Sequence, residues 1–139
     1  MKKILIVCVF ALGFLQAQAQ LEVKASPIPL LFGAFVGGVE YNLSDAWGIE
    51  ADIAGIDDTF VFLVSGKQYF SPKYGADKFH LAAFIGVADG AAGGFYIGQK
   101  WLSKEGVIFE IAAGLGRSSD TIFPYGKLHI GYRFGNKNN

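Results

Sequence analysis

The side chains with the most chemical capacity are five acids (Glu22, Glu40, Glu50, Asp52, Glu110) and five bases (Lys24, Lys67, Lys100, Lys127, Arg133), joined by His80 and His129. Three kinds of chemistry would use such a set. Carboxylates and imidazoles can relay protons, a histidine with carboxylates can hold a divalent metal, and a histidine with a serine and an acid can run nucleophilic hydrolysis. The spacing favours none of them. Neither histidine has the i+2 or i+4 partner that usually announces a metal site, and His80 is followed by Leu81 and Ala82 with no serine nearby. The stretch Asp89-Gly90-Ala91-Ala92-Gly93-Gly94 is rich in glycine, but it lacks the Lys-Ser/Thr pair of a phosphate loop and reads as a hairpin turn. Asp57-Asp58 and Ser118-Ser119-Asp120 could hold a divalent cation only weakly, because two carboxylates on a loop are ordinarily solvated. The chain is therefore expected to have no catalytic residue, no cofactor and no metal, and not to be an enzyme.

What the charged residues share is their place in short alternating segments. Turn-like clusters recur along the chain, and Pro27, Pro29, Pro72 and Pro124 fall in or beside them, where a missing N–H harms a sheet least. Between them the sequence predicts eight strands, over 21–25, 33–43, 47–56, 59–70, 78–88, 93–101, 106–117 and 123–134. Splitting them by parity separates two faces. One carries bulky apolar residues such as Phe35, Val39, Trp47, Ile49, Phe62, Leu81, Ile97, Phe109 and Ile111, with Gln99 as a polar intruder. The other carries glycine and alanine together with all ten charges and both histidines; Val61, Leu63 and Phe84 share it.

The solvent of the apolar face follows from the rest of the chain. Lys2 and Lys3, an apolar run over 4–15 and the small-residue site Ala17-Gln18-Ala19 read as a signal peptide over 1–19, so residues 20–139 form one exported domain. Cys8 falls within the signal, which leaves that domain without a thiol for disulfides, metal or nucleophilic attack. With Lys2 and Lys3 set aside, acids exceed bases by two, and nothing points to a nucleic-acid partner. Hydrophobic residues make up 52% of the sequence, yet no apolar stretch in the domain approaches the roughly 18 residues a spanning helix requires. A bilayer then admits only a closed barrel, in which every backbone N–H and C=O is paired. In a soluble ligand-binding barrel the bulky face would point inward and the other would be rich in Ser, Thr and Lys; small residues suit the narrow interior of a membrane barrel instead.

The fold class expected is thus all-β, an eight-stranded antiparallel up-and-down transmembrane β-barrel. Its lumen would be filled by a paired charge network of Glu40, Glu50, Asp52, Lys100, Glu110, Lys127, His129 and Arg133, a plug and not a pore. Turns at 44–46, 71–77 and 102–105 would lie on the inner side. They are flanked by Tyr41, Trp47, Tyr69, Phe70, Tyr74, Phe79, Trp101, Tyr132 and Phe134 as an interfacial girdle, with Phe32, Phe35, Phe60, Phe95, Phe123 and Tyr125 at the outer rim. The outer turns at 55–58, 89–92 and 118–122 are too short to present much surface to a large external partner.

With its signal peptide, its eight short strands, Val39-Glu40-Tyr41-Asn42-Leu43, Gln68-Tyr69-Phe70 and the closing Gly131-Tyr132-Arg133-Phe134, the mature chain resembles the small outer-membrane β-barrel proteins, OmpA/OmpX-like or opacity-type, including short barrels of unknown function. The resemblance implies residence in the cell outer membrane among its lipids, and insertion by the barrel-assembly machinery through Leu128, Ile130, Tyr132 and Phe134; a monomer is expected. Two other functions compete with an envelope role: a secreted soluble barrel that binds a hydrophobic ligand, and a lipid-modifying membrane enzyme.

Overall fold

Alternation with period two dictates strands, and eight of them closing on each other leave no unpaired edge. In the computed structural model, which describes residues 2–8, 20–73, 75–88 and 90–134, this is the outcome. The strands are β1 (Gln20–Ala25), β2 (Ala34–Asn42), β3 (Trp47–Ile56), β4 (Thr59–Tyr69), β5 (Lys78–Val87), β6 (Ala91–Leu102), β7 (Val107–Ser118) and β8 (Ile122–Phe134). They pair antiparallel in sequence order, and the barrel closes where β1 meets β8, with Leu21 opposite Phe134 and Ala25 opposite Ile130. Observed strand ends lie within two residues of those read from the sequence. Residues 2–8 form a short helix; the cleavage site Ala17-Gln18-Ala19, Tyr74, Asp89 and the tail 135–139 lie outside the described residues.

Local chemistry sets the connections. Ser26 donates one last ladder bond to Val36 O (2.9 Å), and then Pro27, having no N–H, ends β1 and opens a helical turn, Pro27–Leu30. The strand therefore does not run on past Ser26-Pro27. At the end that holds both termini of the barrel, Ser44 Oγ accepts from the N–H groups of Ala46 and Trp47, and Ser103 Oγ accepts from Val107 N–H. The connection between β4 and β5 folds back across this terminal end: Ala76 is fully buried and donates to Asp45 O (2.9 Å). Its left-handed conformation (φ 47°) is unfavourable for a residue with a Cβ, and these contacts hold it there.

Every strand turns one face inward and one outward. Outward stand Val23, Phe35, Val39, Ile49, Ile53, Phe62, Leu81, Ile85, Ile97, Phe109, Leu115 and Ile130, all exposed. Gln68, Gln99 and, at the far end of β7, Arg117 are the polar residues on that outward face among the described strand interiors. Inward lie all five acids and five bases, with Val61, Leu63 and Phe84 on the same side.

Glycine makes this crowded interior possible. A Cβ on Gly38 would meet Asp52 Oδ1 at 2.0 Å, and one on Gly98 would meet His80 Nε2 at 2.6 Å, so each long polar side chain lies across a glycine on the next strand. Gly114 is tighter still, because its Cβ would fall 2.0 Å from Phe95 O and 2.5 Å from Tyr96 Cα, both backbone. Gly114→Ala should therefore force β6 from β7 and lower stability by about 1–3 kcal/mol in a urea titration; an unchanged midpoint would mean that the barrel wall yields freely.

Candidate functional site

Alternate residues of seven strands converge inside the terminal half of the barrel. β1 supplies Glu22 and Lys24, β2 supplies Glu40 and Asn42, β3 supplies Glu50 and Asp52, β4 supplies Lys67 and Tyr69, β6 supplies Lys100, β7 supplies Glu110, and β8 supplies Lys127, His129 and Arg133. β5 adds His80. All are buried or nearly so, and the register explains their meeting: Glu22 stands opposite both Glu40 and Arg133, Glu40 opposite Glu50, Lys100 opposite Glu110, and Glu110 opposite His129.

The charges form one connected lattice instead of separate pairs. Lys24 Nζ donates to Glu40, to Glu50 Oε2 (2.6 Å) and to Glu110 Oε1 (3.2 Å). Lys67 Nζ donates to Glu40 Oε2 (2.8 Å) and Glu110 Oε2 (2.9 Å), and lies 3.1 Å from Glu50. Lys100 bridges Glu22 (2.8 Å) and Glu40 (3.0 Å), and Lys127 donates to Glu50. Arg133 clasps Glu22 through Nε (2.9 Å) and Nη2 (2.6 Å), and it also donates to the carbonyls of Gly75 and Ala76. The last two bonds tie the connection between β4 and β5 across the mouth. A balanced and hydrogen-bonded lattice is the condition under which charges can stay buried. All eight network residues expected from the sequence lie in this interior, although Asp52 and His129 are held more loosely than the rest: Asp52 lies 3.8 Å from Lys127 and 4.0 Å from His129.

Two tyrosines belong to the site and escaped the sequence reading. Tyr69, expected in the aromatic girdle, points inward instead: it is buried, its hydroxyl donates to Glu40 Oε1 (2.5 Å), and Lys100 Nζ sits 4.6 Å from its ring centre. Tyr96 was assigned to neither face; Lys127 Nζ donates to its hydroxyl (3.3 Å) and lies 4.8 Å from its ring centre. The missed signal is parity, since Tyr69 follows Ser65 and Lys67 by twos and Tyr96 lies midway between Gly94 and Gly98. Tyr69→Phe should cost about 1.5 kcal/mol of unfolding free energy by removing a bond to a buried carboxylate; a cost near zero would mean that Glu40 is satisfied without it.

A second correction concerns the opposite half of the lumen. Phe123 and Tyr125, expected at the outer rim, turn inward and cluster with Leu63, Phe84 and Tyr96. Tyr125 stacks on Phe84 (centroids 4.7 Å apart) and on Tyr96 (5.2 Å). The interior is therefore divided along its axis, with charges towards the termini and aromatic and small residues beyond.

Chemical capacity can now be judged from geometry. Ligand atoms of Glu50, Asp52 and His129, and likewise of Glu40, Glu50 and Glu110, lie within 4.8 Å of one another, close enough to share a metal ion. Lysines already stand among them, however: Lys127 beside the first set, and Lys24 and Lys67 beside the second. A divalent ion would also add two charges to a set in which acids and bases already match. A hydrolytic pairing of Ser65 with His80 fails on distance. Ser65 stands opposite Phe84 whereas His80 stands opposite Tyr69, an offset of four residues, or roughly 13 Å along a strand. His80 does face an acid, Glu110, at 3.5 Å. No family model, no curated protein and no solved structure matches this chain.

Proposed function

We propose that the chain is an integral outer-membrane barrel with a structural role in the envelope, exported by its 1–19 segment and sealed along its axis by the charge lattice. The observation that carries this reading is the sorting of charge and bulk. The five acids and five bases of the lattice are turned inward, while the outward face, apart from Gln68, Gln99 and Arg117 at a strand end, is a band of exposed Ile, Leu, Val and Phe. Soluble monomers seldom expose an apolar patch beyond a few hundred Å², and an encircling band would cost far more in water than the fold could recover. Against hydrocarbon it costs nothing. The other charges among the described residues of the domain support the same reading: Asp45, Asp57, Asp58, Lys73, Asp77, Lys104, Glu105 and Asp120 lie in turns and connections at the two ends, and Lys78 and Arg117 lie at strand ends.

Aromatic placement adds to the case. At the terminal end Trp47, Phe70, Phe79, Trp101, Tyr132 and Phe134 are exposed on the outward face; Phe70 pairs with Phe79, Trp101 with Phe109, and Tyr132 with Phe134, at ring-centre distances of 5.7, 5.5 and 5.0 Å. Amphipathic rings collect at this level where hydrocarbon meets headgroups. Ile130, Tyr132 and Phe134 face outward on β8 with Leu128 half-buried beside them, which suits recognition by a barrel-assembly machinery of alternating apolar residues on a last strand.

The lattice makes an open pore a poor reading, since an eight-stranded barrel is just wide enough for its side chains to fill. Planar-bilayer recordings should accordingly show no stepwise ion conductance. Fractionation tests the location: the protein is expected in detergent-extracted membranes and should migrate faster on a gel when left unboiled. Release without detergent, with identical mobility boiled and unboiled, would refute membrane residence.

A further inference from the structure

Beyond the charge lattice the lumen is not filled. A cavity of about 520 Å³ opens at the end away from the termini, walled by Leu63, Phe84, Phe123 and Tyr125, with Ser118 and Ser119 towards the rim. None of the described residues that line it is charged. Its floor is closed: Phe84, Tyr125 and Tyr96 form a stack, and beneath Tyr96 lies Lys127, which is bonded to Glu50.

The walls are built to keep this space open. A Cβ on Gly86 would meet Leu63 Cδ2 at 2.2 Å and one on Gly116 would meet Phe123 Cζ at 2.4 Å, while one on Gly94 would meet the backbone Leu115 O at 2.2 Å as well as Phe84 Cζ at 2.8 Å. Three bulky side chains thus lie flat against the wall, each over a glycine on the adjacent strand. A larger residue at Gly86 or Gly116 would push Leu63 or Phe123 towards the axis, where they would fill the cavity. The arrangement leaves apolar surface facing an open mouth, which costs about 25 cal/mol for each Å² kept wet and is recovered when an apolar molecule covers it.

We propose that this mouth binds a small, uncharged, ring-containing molecule. The described lining carries no charge to hold an ion, the stacked rings offer an aromatic face, and the two serines offer hydroxyls to a single polar substituent. The volume is roughly three and a half times that of the ~150 Å³ dry cavity known to take one benzene, so a bicyclic or tricyclic ring system fits. The closed floor means that the ligand is held and released on the same side and does not pass through. The proposal rests on the closed barrel alone and holds whichever solvent surrounds the outer surface.

Methyl-resolved NMR of the whole barrel, titrated with indole as a neutral aromatic probe, tests this. The expected result is a saturable shift of the Val61 and Leu63 methyls while those of the outward Ile97 and Leu115 stay still. Ala92→Phe, which fills the mouth, should weaken binding at least tenfold; Ser119→Trp, on an exposed turn, serves the same end if Ala92→Phe does not fold. Shifts that never saturate, that are as large at Ile97 and Leu115, or that persist unchanged in the filled variants would overturn the proposal.

Discussion

Lys67→Met should cost the barrel about 3–5 kcal/mol of unfolding free energy, the usual effect of removing one partner from a buried ion lattice. Lys67 lies within 3.1 Å of Glu40, Glu50 and Glu110, and methionine fills similar volume without charge, so the loss reports electrostatics and not a cavity. Glu110→Gln added to Lys67→Met restores the balance of acids and bases and should recover a large part of the loss. Chemical unfolding of the wild type, both single variants and the pair provides the coupling energy directly. Additive losses, with no recovery in the pair, would mean that the charges do not act as one lattice. A variant that keeps its stability but gains or loses solute permeation would make these side chains a conduction path.

Ile97→Arg should cost about 2–4 kcal/mol if the barrel sits in a bilayer as proposed, the penalty for a cationic side chain on a lipid face near the midplane. Ile97 lies midway along β6, faces outward and is about half exposed, opposite Leu81 and Ala113. In a barrel surrounded by water the same substitution would fall within the ±0.5 kcal/mol typical of surface changes. The native Arg117 is compatible with the proposed membrane setting because it occupies the far end of β7, where a depth penalty would have faded. A neutral or stabilising effect of Ile97→Arg would argue for the water-surrounded alternative.

The barrel was legible from the sequence because period two is a local signal that each strand carries by itself. Glu22, Lys24, Glu40, Glu50, Lys67, Lys100, Glu110, Lys127 and Arg133 could be assigned to one interior because parity alone decides the face. What parity cannot supply is position along the axis. The division of the lumen into a charged half and an aromatic half depends on how far each strand slides against its neighbour, and that register is set jointly by turns and side chains. Tyr69 and Tyr125 show the cost of using aromatic character as a proxy for membrane depth. Each lies near a strand end where a girdle residue would be, yet each has the parity of the lumen: Tyr69 finds Glu40, and Tyr125 finds Phe84 and Tyr96. Arg133 has the parity of the interior, but its bonds to the Gly75 and Ala76 carbonyls depend on a connection that carries no periodic signal.

The central claim is that lipid meets the outward face. Because the domain from Gln20 onwards contains no cysteine, single cysteines can be placed at will for spin labelling. Labels at Ile53, Leu81 and Ile97 in lipid bilayers should collide more often with molecular oxygen, which concentrates in hydrocarbon, than with a water-soluble nickel chelate; labels at Asp58 and Ser119 in the turns should show the reverse. Nickel collisions that dominate at Ile53, Leu81 and Ile97 would contradict the account and leave the barrel in water.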